Sequence, residues 1–112
     1  MCRNGDIYMT RLAERTEGSL QSGMRPAIVI SNDKANEFSS IITIVPVTGS
    51  IEKKRLPTHV YIRGCGLSRP SIAMAEQITS IDKSRLRKRI GSIKKTKYEK
   101  RVKKAIEIQL DL

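Results

Sequence analysis

Arg25 stands where a loop-type segment, Gly18-Ser19-Leu20-Gln21-Ser22-Gly23-Met24, gives way through Pro26 to the unbroken apolar run Ala27-Ile28-Val29-Ile30. That junction sets a permanent cation at the mouth of a strand. A guanidinium stays protonated at every cellular pH and offers five N–H donors in a rigid fork, which suits the non-bridging oxygens of a phosphate. Phosphate is the partner class the residue suggests. A second polar group follows from Pro46, which cannot donate to a sheet ladder, so the end Val45-Pro46-Val47-Thr48 is expected at an edge or bulge with Thr48 presented to solvent. The other reactive side chains offer less. Cys2 and Cys65 lack metal-type spacing and are expected to remain thiols in a reducing compartment. Cys65 as a nucleophile would need a base, and His59, the only histidine, reads as a strand residue with no sign of pairing. No cluster of His, Asp or Glu carries metal-ligand spacing, so no metal and no other cofactor is expected.

The elements that must position these groups read mostly as strands. Ile7, Met9 and Arg11 alternate with Tyr8, Thr10 and Leu12, which predicts a strand over residues 6–11. Residues 13–24 follow neither period and predict a long loop, the kind that often carries function. Strands are predicted over 25–31, 41–48, 58–63 and 71–78, with a turn and one helical turn over 32–38. Asp82 is placed to cap a short helical turn ahead of a further apolar piece at 90–93. At the C-terminal end Thr96 and Glu99 stand at capping-box spacing, and Tyr98, Val102, Ala105, Ile106, Gln109 and Leu110 form one stripe. A helix over Lys97–Leu110 is predicted, its stripe closing one face of a barrel or packing in a subunit contact while Lys100, Arg101, Lys103 and Lys104 face solvent. The class is mainly β with one helix, an α+β chain built on a small barrel.

With 112 residues and 38% hydrophobic content, the expectation is a single domain over residues 1–112 with one modest core. No stretch approaches the roughly 20 apolar residues of a membrane span, and Met1-Cys2-Arg3-Asn4-Gly5-Asp6 lacks a signal peptide's apolar run, so a cytosolic protein without membrane partners is expected. The net charge of +11 is unevenly placed. Residues 1–82 hold ten Lys/Arg against eight Asp/Glu, whereas residues 83–104 hold twelve against Glu99 alone. Such a block can release counterions from nucleic acid, draw in an acidic protein, or serve as a solvated face.

Five blocks then come together. Gly5-Asp6-Ile7-Tyr8, Arg25-Pro26-Ala27-Ile28-Val29-Ile30-Ser31-Asn32-Asp33, Val45-Pro46-Val47-Thr48, Leu56-Pro57-Thr58-His59-Val60 and Glu76-Gln77-Ile78 occur in an order that resembles the MazF/PemK toxin family across roughly residues 4–93. The resemblance implies an SH3-like small β-barrel of the plasmid-maintenance-toxin type with a C-terminal α-helix, and a homodimer. It also implies a sequence-specific, metal-independent endoribonuclease that cuts single-stranded mRNA, held in check by an acidic, MazE-like antitoxin. By the same resemblance Arg25 and Thr48 are the catalytic positions.

Cleavage through the 2′-hydroxyl needs that hydroxyl deprotonated, the leaving 5′-oxygen protonated and the added charge on phosphorus stabilised. Arg25 fits the third task, since a preorganised donor aimed at developing charge is worth roughly a hundredfold in rate. A guanidinium is a costly source of base, and the family's proposals of an acid-base part for it stay open. Glu76 is the alternative catalytic candidate, because burial could raise its pKa enough for a proton shuttle and some relatives have a catalytic aspartate there. Those relatives also have an arginine where this chain has Met74 and a histidine in the first loop, where residues 12–24 have none. Base recognition or strand-end structure stands equally for Glu76 and Gln77. Gln77 is a candidate RNA-binding residue with Ser19 and Gln21 in the first loop, whose polar groups can meet unstacked bases. Aromatics are only Tyr8, Phe38, Tyr61 and Tyr98, so backbone contacts must carry more affinity than stacking. Two other classes remain: a CcdB-like gyrase-binding toxin, which depends on a C-terminal tryptophan that this chain lacks, and an RNA-binding module without activity.

Overall fold

Ala27, Ile28 and Val29 are all buried, which a continuous run along a strand achieves only where both faces of the sheet are covered. A computed structural model of the chain, describing residues 1–13, 18, 20–52 and 55–112, contains both covers. Seven strands, β1 (Asp6–Leu12), β2 (Gly23–Val29), β3 (Ile41–Thr48), β4 (His59–Ile62), β5 (Ser71–Met74), β6 (Thr79–Asp82) and β7 (Leu86–Ser92), join two helices, α1 (Asp33–Phe38) and α2 (Lys97–Leu110). All recorded pairings are antiparallel, in the order β4-β5-β3-β2-β1-β7, with β6 also on β3. The α+β class with a C-terminal helix is as expected, but the pairing path is open, with β4 and β7 at its ends, so hydrogen bonds do not close a barrel.

Alternation sorts the apolar residues. Ile7, Ile28, Val45, Val47, Val60, Ile62 and Ala73 form one core with Tyr98, Val102 and Ala105 of α2. Leu12, Ala27, Val29, Ile42 and Ile44 form the other with Cys2. Helix α2 starts at Thr96, whose Oγ1 accepts from Tyr98 N at 3.2 Å, while Glu99 accepts from Lys95 N and not from Thr96, so the capping box is half made. Beyond Ile106 the predicted stripe leaves the sheet, for Gln109 and Leu110 are exposed, as are Lys100, Arg101, Lys103 and Lys104. No helix among the described residues is long and apolar enough to cross a membrane.

Three expectations change. The predicted strand over 71–78 breaks after Met74 into a 3₁₀ turn, Ala75–Gln77, before β6 resumes on β3. Part of the basic block is a strand, β7, which pairs with β1 alone in the recorded ladders and exposes Arg87, Lys88 and Arg89; charged residues suit an unpaired sheet edge. The strand carrying Pro46 is not an edge. On one side β3 meets β2; on the other it pairs with β6 through Ile44 and with β5 from Val47, so pairing lapses at Val45 and Pro46, where the proline is tolerated.

Candidate functional site

Arg25 and Thr48 reach one place from neighbouring strands. The register Ala27↔Pro46, continued by two residues, sets Arg25 level with Thr48. Both line a polar hollow of about 500 Å³ together with Gln21, Gly49 and Arg69. Arg25 is exposed, and its Nε donates to Ser22 O at 3.2 Å, which tethers the guanidinium; among the described residues no hydrogen bond is recorded for its two Nη groups. Thr48 is buried at 4% exposure and so departs from the expected exposed position, because β5 pairs beside it at Ile72. Its Oγ1 accepts from Ser50 N at 3.1 Å; that bond fixes the oxygen and leaves the O–H to donate.

Gln21 links this hollow to a second one of about 430 Å³, which it lines with Pro46, Glu76 and Gln77. Gln77 Oε1 accepts from Gln21 N at 2.8 Å and so pins the end of the first loop to the 3₁₀ turn. Among the described residues Gln21 Oε1 is buried without a hydrogen-bond partner, an acceptor suited to the exocyclic amine of a base. Ser19 lies outside the described residues.

Glu76 does not line the hollow shared by Arg25 and Thr48. Its two oxygens are engaged, Oε1 by the Thr58 hydroxyl at 2.8 Å and Oε2 by His59 Nε2 at 2.7 Å. The expected rise in its pKa is reversed: burial pushes it up, but the bonds from His59 and Thr58 outweigh burial and hold the carboxyl below its ordinary value. His59 Nδ1 accepts from Leu56 N at 3.2 Å, so in the neutral ring Nε2 carries the proton and donates to Glu76. A lowered folded-state pKa contributes stability above the unfolded value and loses it as pH falls through the folded value. Urea denaturation across about pH 7 to pH 3 is expected to show Glu76→Gln less stable by about 1–3 kcal/mol at neutral pH, with the difference shrinking in acid. A difference constant with pH would contradict this anchoring role.

Two residues here escaped the sequence reading. The partnership of His59 with Glu76 reaches from the start of β4 to the turn after β5 and leaves no local trace. Arg69 did leave one: Arg69-Pro70 ahead of β5 repeats the Arg25-Pro26 step of β2. Among the described residues no group of three or more His, Cys, Asp or Glu is placed to hold a metal ion.

Residues 3–110 match the family model described as PemK-like, MazF-like toxin of type II toxin-antitoxin system. The chain is 38% identical over 114 residues to Endoribonuclease MazF of Staphylococcus saprophyticus subsp. saprophyticus, covering 100% of this chain and 93% of that protein. Among solved structures it resembles Mycobacterium tuberculosis toxin MazF-mt6, with a TM-score of 0.79 at 21% identity over 96% of this chain and 97% of the other. It also resembles a mycobacterial endoribonuclease in complex with its cognate antitoxin, with a TM-score of 0.80 at 19% identity over 100% and 97% of the two chains. At these identities the solved structures speak for the fold.

Proposed function

The chain belongs to the PemK-like, MazF-like toxins of type II toxin–antitoxin systems, and we infer from that premise how its endoribonuclease activity is carried out. The substrate is single-stranded mRNA. Its 2′-hydroxyl oxygen bonds to phosphorus as the bond to the 5′-oxygen breaks, giving a 2′,3′-cyclic phosphate and a 5′-hydroxyl. One proton leaves O2′ and one is taken up by O5′, so the step is balanced without a co-reactant. The carrying observation is that Arg25, tethered through Nε, and Thr48, whose Oγ1 is fixed by Ser50 N, line one polar hollow. Arg25 neutralises the non-bridging oxygens as their charge grows, and Thr48 holds the phosphate or the attacking oxygen.

Gln21 and Gln77 border the path on which unstacked bases would lie, and Gln21 Oε1 reads an amino edge. The pairing of Glu76 with Thr58 and His59 favours anchoring the 3₁₀ turn over proton transfer. The protein acts in the cytoplasm as a homodimer, and an acidic, partly disordered antitoxin segment is drawn to the +11 charge that each chain carries. Incubation with single-stranded RNA in EDTA, followed by end mapping, is expected to give discrete fragments with 5′-hydroxyl ends. Intact RNA, whether bound or free, would overturn the cleavage reading.

A further inference from the structure

We propose that Arg69 is a second phosphate ligand of the cleavage site, a reading that rests on the endoribonuclease function above. The Arg69-Pro70 step hints at this, and its placement carries it. Strand β5 pairs with the end of β3 through Val47↔Ala73 and Thr48↔Ile72, which brings the residues just ahead of β5 to Thr48. Pro70 restricts the chain there, and Ser71 Oγ donates to Arg69 O at 2.9 Å, fixing the approach.

The guanidinium is seated on Gly49. A Cβ built at Gly49 would stand 2.4 Å from Arg69 Nε and 2.7 Å from Cζ, so the absence of a side chain there is what lets the arginine lie beside Thr48. Arg69 shares the polar hollow with Arg25 and Thr48, and with Arg25 it also borders a neighbouring hollow of about 340 Å³. Among the described residues its guanidinium has no recorded hydrogen bond or ion pair, and the one carboxylate residue lining the shared hollow, Glu52, is exposed. Two cations held on one hollow create a positive potential that a bound anion relieves. The pentacoordinate phosphorus of 2′-hydroxyl attack carries more charge on its non-bridging oxygens than the phosphodiester did. One guanidinium per oxygen matches that distribution, so the contact strengthens in the transition state.

The test is single-turnover cleavage of a short RNA containing the mapped site, compared with its two phosphorothioate diastereomers at the scissile phosphate. Arg69→Ala is expected to lower the cleavage rate about a hundredfold with a smaller change in KM, and Arg69→Lys to recover part of it. The rate penalty that wild-type protein shows for one diastereomer should shrink in Arg69→Ala, a change that a merely structural role would not produce. Gly49→Ala, which displaces the guanidinium while keeping Arg69, should lower the rate and shrink the same penalty. If wild-type protein leaves RNA intact, the cleavage reading fails. If wild type cuts and both Arg69→Ala and Gly49→Ala retain its rate and both diastereomer penalties, Arg69 is no phosphate ligand and the cleavage reading stands.

Discussion

Arg25→Ala is expected to cut RNA about 10²–10³ times more slowly than the wild type while folding normally. The fold should tolerate the change because Arg25 is exposed and its recorded side-chain bond is the single tether to Ser22 O. The rate should not, because the lost group supplies the donors that face developing charge in the hollow it shares with Thr48. Arg25→Lys should recover only a small part, since a point charge cannot reproduce a planar fork. Thr48→Val makes the complementary loss: it keeps the β-branch but removes the O–H and the acceptor for Ser50 N. If both groups hold one phosphate, the double variant will be less impaired than the two single losses multiplied. Single-turnover rates decide it, and a wild-type rate in Arg25→Ala would remove the residue from the mechanism.

An RNA whose cut nucleotide alone is 2′-deoxy should resist cleavage altogether. An attacking oxygen built into the substrate enjoys an effective concentration on the order of 10⁵–10⁸ M, and nothing in the hollow replaces that advantage for water. The expected loss is therefore at least about 10⁵-fold, beyond most assays, with binding nearly unchanged. Cleavage of the deoxy substrate at an appreciable rate, with a 5′-phosphate or any other end, would mean that water or a protein group is the nucleophile.

Where the chain announced its structure, it did so by short-range pattern. Lys97–Leu110 was legible because Thr96 marks its start and Tyr98, Val102 and Ala105 repeat at helical spacing; β3 was legible from its β-branched run. The turn at Ala75–Gln77 was not, because Glu76 and Gln77 carry no glycine or proline signal, and the break depends on β6 finding β3. Strand β7 hid behind Arg87-Lys88-Arg89, residues that suit an edge as readily as a solvated helix. At the site the split is similar. Arg25 could be read from its junction, whereas the burial of Thr48 and the engaged state of Glu76 depend on β5 and His59, contacts made across the fold.

Strand β3 carries two ladders in succession, β6 alongside its first half and β5 alongside its last two residues, with Pro46 between them. Arg25 comes from β2, whose register against β3 continues to the level of Thr48, and Arg69 enters beside the same end of β3 with β5. The two guanidiniums are thus mounted like the jaws of a calliper on either side of one strand end. Their gap is set by the width of one strand, by the Ser22 tether and by the Gly49 seat, so a slip of β5 against β3, without changing any group in the hollow, would retune the aperture in which a phosphate must fit.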